Sequence, residues 1–398
     1  MSNEIDFLKE AEALSPELQS LREAIHRRPE LGNREFETAA LAVSRLRAWG
    51  IAVRQVTETA VAATLQGALP GPTVALRADM DALPVCERSG AAFASETPGV
   101  MHACGHDVHT AALLGAARLL SAHRDRLRGT VRFLFQPDEE GDGGAARMVA
   151  SGCLTGVEAV FGCHVSPALP LGDIGVRYGT FYAAADIFDL TVRGKSAHGA
   201  EREKGVDALG AAASLVCALL ELPETVLPAR AVLSVGSFHA GTARNVLADR
   251  AELQGILRSL GPDTRTRMRQ ALRETVERCA ARSGAAMELD LRRGYDGVVN
   301  TDAATDTVRS AAEALLGPAH VHVLQEPTMT TEDFGCLIEA AGAGSFYHVG
   351  AGCTAPLHAP DFLPDGRAAV LAAAVHAATV WRYGAQKARE AARQHGGA

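Results

Sequence analysis

The sequence contains no apolar run near the roughly 20 residues that a membrane-spanning helix requires, and its start, Met1-Ser2-Asn3-Glu4-Ile5-Asp6, has no basic region followed by an apolar one. A cytoplasmic address with no membrane partner is therefore expected. Blocks of like charge are also missing: 39 Lys and Arg against 47 Asp and Glu leave a formal net charge of -8, spread along the chain. That pattern offers no basic footprint for nucleic acid. Among eight cysteines (Cys86, Cys104, Cys153, Cys163, Cys217, Cys279, Cys336, Cys353) there is no C-x-x-C pair and no dense framework. They read as reduced thiols, most of them small core residues, with Cys104 set apart. No internal repeat is visible. What remains, at 398 residues and 47% hydrophobic, is a globular chain with room for two domains, the class that acts on small molecules.

The densest chemistry lies in His102-Ala103-Cys104-Gly105-His106-Asp107-Val108-His109, with three imidazoles, a thiol and a carboxylate in eight residues. Cys and His suit a borderline-soft divalent ion, and the C-x-H spacing lets Cys104 and His106 face one point on an extended or tightly turned backbone. One run cannot close a site. Glu139-Glu140 in F-L-F-Q-P-D-E-E-G, His164 in F-G-C-H-V and His358 in A-P-L-H-A-P offer the missing ligands. His102 and His109 are assigned structural or supporting roles.

Periodicity predicts helices over about 8–50, strands over 51–56, 60–65 and 73–76, a helix over 107–120 and a buried strand over 130–135 that delivers Gln136 through Gly141. Ligands thus follow strands, the usual site logic of an α/β sheet. A new regime starts near Ala183. Strands over 187–192, 231–238, 251–257 and 286–291 alternate with helices over 207–222 and 262–283, giving the order βαββαβ. The expected fold is a catalytic α/β domain, with a mixed sheet flanked by helices, interrupted by an inserted ferredoxin-like α+β lid. The boundaries are 1–183 and 297–398 for the two catalytic parts and 184–296 for the lid. Helices over 302–316 and 365–383 and a strand over 345–349 complete the chain, and the last dozen or so residues are expected to be loose.

Five ligands exceed what one structural zinc takes, and no spacing matches a zinc finger. Two divalent ions, Zn, Mn, Co or Ni, use the set better, sharing a hydroxide and polarising a carbonyl, with the thiolate or water as bridge. Because successive side chains on a strand diverge, Glu139 and Glu140 should divide the labour: Glu140 as ligand, Glu139 as general base and then acid. Asp79 and Asp81 in A-L-R-A-D-M-D-A-L-P share one face and are placed to orient a ligand imidazole. His198 of G-K-S-A-H-G-A and Asn245 of T-A-R-N-V are polar groups among small residues, where backbone can approach a ligand.

These motifs, with M-H-A-C-G-H-D-V-H-T-A, G-C-H-V, T-E-D-F and L-H-A-P in the same order, resemble the hippurate hydrolase and auxin-conjugate amidohydrolase branch of the aminoacylase and carboxypeptidase G metallopeptidase clan. The resemblance spans nearly the whole chain. It implies a dinuclear centre held by Cys104, His106, Glu140, His164 and His358, Glu139 as acid/base, and a lid that also dimerises. It further implies that His198 stabilises the oxyanion in a partner subunit and that Asn245 contacts substrate. Two departures stand out: Asp138, where relatives often carry a small residue, and Ser196-Ala197-His198, where relatives often carry Gly-Gly-His. Asp138 is expected to add negative charge near the base.

The expected activity is metal-dependent cleavage of the amide of an N-acyl amino acid, hippurate-like or N-acetyl, to a carboxylic acid and a free amino acid by a homodimer or higher homo-oligomer. An N-acetyl-diaminopimelate deacetylase or a dipeptidase is an alternative within the class. A catalytically silent binder of amino-acid conjugates is the alternative outside it.

Overall fold

A computed structural model describes residues 5–228 and 230–395. In the first stretch α1 (Phe7–Ala13), α2 (Ser15–Arg27) and α3 (Phe36–Ala48) precede β1 (Ala52–Gln55), β2 (Val61–Gln66) and β3 (Leu69–Asp79). Then come α4 (His106–Ala122), β4 (Arg128–Gln136), α5 (Ala145–Ala150), β5 (Ala159–Ser166), β6 (Ile174–Val176) and β7 (Gly179–Thr180). The middle holds β8 (Ala184–Arg193), α6 (Ala208–Leu220), α7 (Leu222–Val226), β9 (Ala231–Ala240), β10 (Arg250–Ser259), α8 (Pro262–Ser283) and β11 (Ala286–Arg293). The last stretch adds β12 (Val299–Asn300), α9 (Asp302–Leu316), β13 (Val321–Val323), α10 (Phe334–Ala341), β14 (Gly344–Gly350) and α11 (Arg367–His395).

The chain divides into two compact units. One comprises the residues up to Gly179, Val299–Gln325 and those from Asp333 onward; the other comprises Thr180–Val298 and Glu326–Glu332. Residues 326–332, expected in the catalytic part, therefore group with the inserted unit. The first unit carries a mixed eight-stranded sheet in the order β1-β2-β4-β3-β5-β14-β6-β13. At its centre β4, β3, β5 and β14 run parallel, and β5 is buried along its whole length, as a strand covered on both faces must be. Helix α4 is buried nearly end to end, and its Ala- and Gly-rich surface lets α11 approach closely. A Cβ on Gly115 would lie 2.8 Å from Ala373 Cβ and 3.0 Å from Leu18 Cδ2.

The second unit is a four-stranded antiparallel sheet, β11-β8-β10-β9, with α6 and α8 packed on it through a core that includes Phe188, Leu215, Leu253, Met268 and Leu272. Each helix carries its own start signal. Asp207 caps α6 by accepting from Gly210 N at 3.0 Å, and Pro262 opens α8, which ends at Gly284 with φ 69°. At the C-terminus, where the last dozen or so residues are expected to be loose, α11 runs through His395 and packs against α4 and α1, and the three residues beyond lie outside the described residues.

Candidate metal centre

Parallel pairing sets the strand ends side by side. Asp79 stands opposite Gln136 where β3 and β4 end, and His164 opposite His348 near the ends of β5 and β14. Four segments thus open onto one edge of the sheet. Cys104 reaches it through a turn at Gly105, where φ is 85° and an added Cβ would lie 2.5 Å from Val165 Cγ2, so only glycine fits. His106 is the first residue of α4 beyond that turn. His164 lies inside β5, not in a loop after it.

His358 arrives from the far end of the sequence with a positive φ of 66°, uncommon for a non-glycine residue. Its backbone N donates to Ala103 O at 2.8 Å, which ties this loop to the Cys104 turn. Ligand-type atoms of Cys104, His106 and His164 lie within 4.8 Å of one another; so do those of Cys104, Glu140 and His358, and those of His106, Glu139 and Glu140. Cys104 and Glu140 each recur in two of these groups, so all five expected ligands and Glu139 form one connected cluster.

Hydrogen bonds aim the free atoms inward. His106 Nδ1 donates to Asp81 O at 2.8 Å, leaving Nε2 buried without a partner. His164 Nδ1 donates to Val165 O at 2.7 Å, which turns an unprotonated Nε2 toward Cys104 Sγ at 3.3 Å. Glu140 Oε1 is likewise buried, with His358 Nε2 3.1 Å and His106 Nε2 4.0 Å from it. A buried ring nitrogen without a hydrogen bond is costly, and His106 Nε2 faces a carboxylate oxygen that a second imidazole also meets, all of them metal-ligand types.

Charge tells the same story. Burial, then the Glu140 and Glu139 carboxylates, hold the Cys104 thiol well above its usual range. Burial works against a charged His106, yet Asp79 and then Asp81 raise it to about 10. His164 is pushed well below its usual value by burial and then by His109, which keeps its lone pair available. A protein cluster that resists ionising its thiol while holding a histidine cationic is one short of positive charge. Divalent ions would correct that, and the residues fit them.

Behind the ligands, Asp79 Oδ1 accepts from His109 Nδ1 at 2.7 Å, and His109 Nε2 accepts from Val165 N at 2.9 Å, which fixes His109 as a neutral spacer. Asp81 Oδ2 accepts from Glu140 N at 2.9 Å. Arg77 donates to Asp79 Oδ2 at 2.8 Å, to Gln136 Oε1 at 2.8 Å and to Asp333 Oδ1 at 3.0 Å. Asp333 in turn accepts from Ala145 N at 2.9 Å. Sequence reasoning passed over Arg77, although a charge inside the apolar run V-A-L-R-A had to be paired if the strand was buried. Arg22 and His26 of α2 escaped it too. They meet Asp107 Oδ2 at 2.6 and 2.8 Å, and His26 Nε2 reaches Glu87 Oε1 at 3.1 Å.

One expectation about the acidic turn needs correction. Glu139 and Glu140 follow Asp138, whose φ is 57°, so the strand rule that neighbouring side chains diverge does not apply, and both carboxylates reach the vicinity of His106. Asp138 has hydrogen-bond partners of its own. Its Oδ2 accepts from Asn33 Nδ2 at 2.8 Å and Arg147 Nη2 at 2.9 Å, while its N donates to Glu35 Oε1 at 2.9 Å.

In the second unit His198 and Asn245 lie on adjoining segments: His198 bridges to Val246, and Gly199 N donates to Asn245 O at 2.8 Å. Both side chains are exposed.

The model of peptidase family M20/M25/M40 matches residues 75–382, a span that contains every member of the cluster. The chain is 37% identical over 363 residues to the N-acetyl-L-cysteine deacetylase of Bacillus subtilis, covering 90% of this chain and 86% of that one. It is also 37% identical over 397 residues to the IAA-amino acid hydrolase ILR1-like 2 of Arabidopsis thaliana, covering 94% and 88%. The crystal structure of the Bacillus subtilis YXEP protein, described as a dinuclear metal binding peptidase, superposes with a TM-score of 0.83 at 34% identity, covering 93% of this chain and 98% of that one. The chain belongs to peptidase family M20/M25/M40 and is a metal-dependent amidohydrolase of that family.

Proposed function

We propose that this protein hydrolyses the amide bond of N-acyl amino acids at a dinuclear centre held by Cys104, His106, Glu140, His164 and His358. The observation that carries the reading is the convergence of these five ligand-type side chains and Glu139 in one connected cluster, in which His106 Nε2 is buried without a hydrogen bond. Divalent ions bound there would supply Lewis-acid polarisation of the amide carbonyl and a lowered pKa for water.

The chain's own residues do the rest. Glu139, nearly buried beside Glu140, takes a proton from the attacking water and returns it to the amide nitrogen, so that the acyl group leaves as a carboxylate and the amino acid as a free amine. Asp79 and Asp81 hold the imidazoles and the Glu140 backbone in register for that exchange. His198 and Asn245 are assigned to the oxyanion and the substrate, with the second unit as the dimer contact. Exposure of both side chains is compatible with these roles.

Similarity to the deacetylase and to the IAA-amino acid hydrolase supports a substrate with an amino-acid half and a small or aromatic acyl half. The cysteines of the described residues are all free thiols, and no helix among those residues is long and apolar enough to cross a membrane, which supports assignment to the cytoplasm. The test is a panel of N-acetyl, N-benzoyl and dipeptide substrates with Mn, Co, Ni or Zn added, run beside Glu139→Gln. Hydrolysis of acyl amino acids, abolished in the variant while its metal content persists, is expected. Turnover of dipeptides alone would move the assignment to a dipeptidase. Thermal shift with a conjugate but no hydrolysis would leave a binding protein.

A further inference from the structure

One fully buried carboxylate has no part in the chemistry described so far. Glu35 stands at the start of α3, yet its side chain does not cap the helix. Glu30 does so instead, accepting from Glu37 N and Thr38 N at 2.9 Å each. The Glu35 carboxylate is 0% exposed and pairs with no lysine or arginine among the described residues, an arrangement that costs stability unless backbone donors meet it. Two do: its Oε1 accepts from Asn33 N at 3.0 Å and from Asp138 N at 2.9 Å, although Asp138 lies 103 residues further along the chain.

Both donors sit in left-handed backbone, Asn33 at φ 65° and Asp138 at φ 57°, a conformation that persists in non-glycine residues only where the surroundings impose it. At Asp138 they do. Its O accepts from Gly143 N at 3.1 Å, its Oδ2 accepts from Asn33 Nδ2 at 2.8 Å, and a Cβ on Gly32 or Gly141 would lie 2.1 or 2.3 Å from its Oδ1. The acidic turn is thereby gripped on both sides of Glu139: Asp138 N donates to Glu35 Oε1, and Glu140 N donates to Asp81 Oδ2.

We infer that Glu35 is a positioning residue for the general base, fixing through Asp138 the turn on which Glu139 stands. The inference rests on Glu139 as the acid/base of the proposed amide hydrolysis. Without the Glu35 oxygen, Asn33 N and Asp138 N lose their acceptor, and the left-handed residue just before Glu139 is released. Glu140 keeps its tie to Asp81, and Cys104, His106, His164 and His358 stand on other segments, so metal binding should outlast the loss. A displacement of about 1 Å in a catalytic group costs on the order of 100-fold in rate.

Glu35→Met removes the acceptor at similar length, whereas Glu35→Gln keeps an oxygen and removes only the charge. Each variant is loaded with Mn, and kcat and KM for the N-acetyl and N-benzoyl amino acids of the panel above are measured per metal-loaded chain, with amide hydrogen exchange followed over residues 138–143. For Glu35→Met the expected result is a kcat lower by roughly 100-fold at unchanged KM and metal content, with faster exchange in the turn. Glu35→Gln should restore both turnover and slow exchange. If Glu35→Met does not fold, Asn33→Gly keeps the left-handed backbone at an exposed position, removes the contact to Asp138 Oδ2, and should lower kcat in the same way. A kcat loss that merely follows lost metal, an equal loss in Glu35→Gln, or wild-type kcat and exchange in Glu35→Met would overturn the proposal. Wild type that hydrolyses no acyl amino acid would count against the amidohydrolase reading instead, and exchange over 138–143 would still decide whether Glu35 holds the turn.

Discussion

Replacing His26 by Gln should change how stability depends on pH, and the size of the change follows from its surroundings. Burial disfavours a charged His26, but Asp107 at 2.8 Å and Glu87 at 3.1 Å outweigh it and raise the group from 6.5 to about 9. Between those values the folded chain holds a proton that the unfolded chain has released. The stabilisation is therefore complete below about pH 6.5 and disappears as pH rises through about 9. A separation of roughly 2.5 pH units corresponds to about 3 kcal/mol. Urea denaturation of metal-loaded wild type and His26→Gln, followed from about pH 6 to pH 10, isolates the effect, because every other titrating group is common to both. The gap between the two should narrow by about 3 kcal/mol toward alkaline pH. Parallel curves would refute the reasoning, since they would mean that His26 is neutral in its pocket.

Three further outcomes are expected. Glu35 is raised from 4.5 to about 7, chiefly by burial, so its contribution is full below pH 4.5 and lost as pH climbs through about 7; Glu35→Gln should therefore gain on wild type above neutral pH, and a constant difference across that range in urea titrations would count against it. Arg77→Met strands the buried Asp79 and Asp333 carboxylates and should cost about 3–5 kcal/mol in chemical denaturation; a loss near zero would mean that the pair is hydrated. Gly115→Ala drives a methyl to 2.8 Å from Ala373 Cβ, and overpacking of about 1–3 kcal/mol should exceed the gain of about 1 kcal/mol in helix propensity, so a raised melting temperature would contradict the tight α4 and α11 packing.

Elements with strong local signals could be read from the chain alone. Helix α8 is bracketed by Pro262 and Gly284, and α9 spans the same residues, 302–316, that periodicity indicates. Short strands such as β6, β12 and β13 carry too few residues for any period, and their existence depends on partners elsewhere in the chain. The site divides in the same way. Cys104, His106 and the acidic pair announce themselves by residue type, and His164 and His358 by small apolar contexts. Their supports do not, because Arg77 finds Asp333 across 256 positions and Arg22 finds Asp107 across 85. Local sequence also misleads at Glu139 and Glu140, where a left-handed Asp138 replaces the strand alternation that a linear reading assumes.

The most direct test of the account is a crystal structure of protein reconstituted with Zn, with anomalous maps recorded on both sides of the absorption edge. Two peaks within bonding distance of Cys104, His106, Glu140, His164 and His358, with Glu139 unligated, are the predicted result. No density at that cluster under saturating metal, or an ion that leaves His358 or Cys104 unbound, would contradict it.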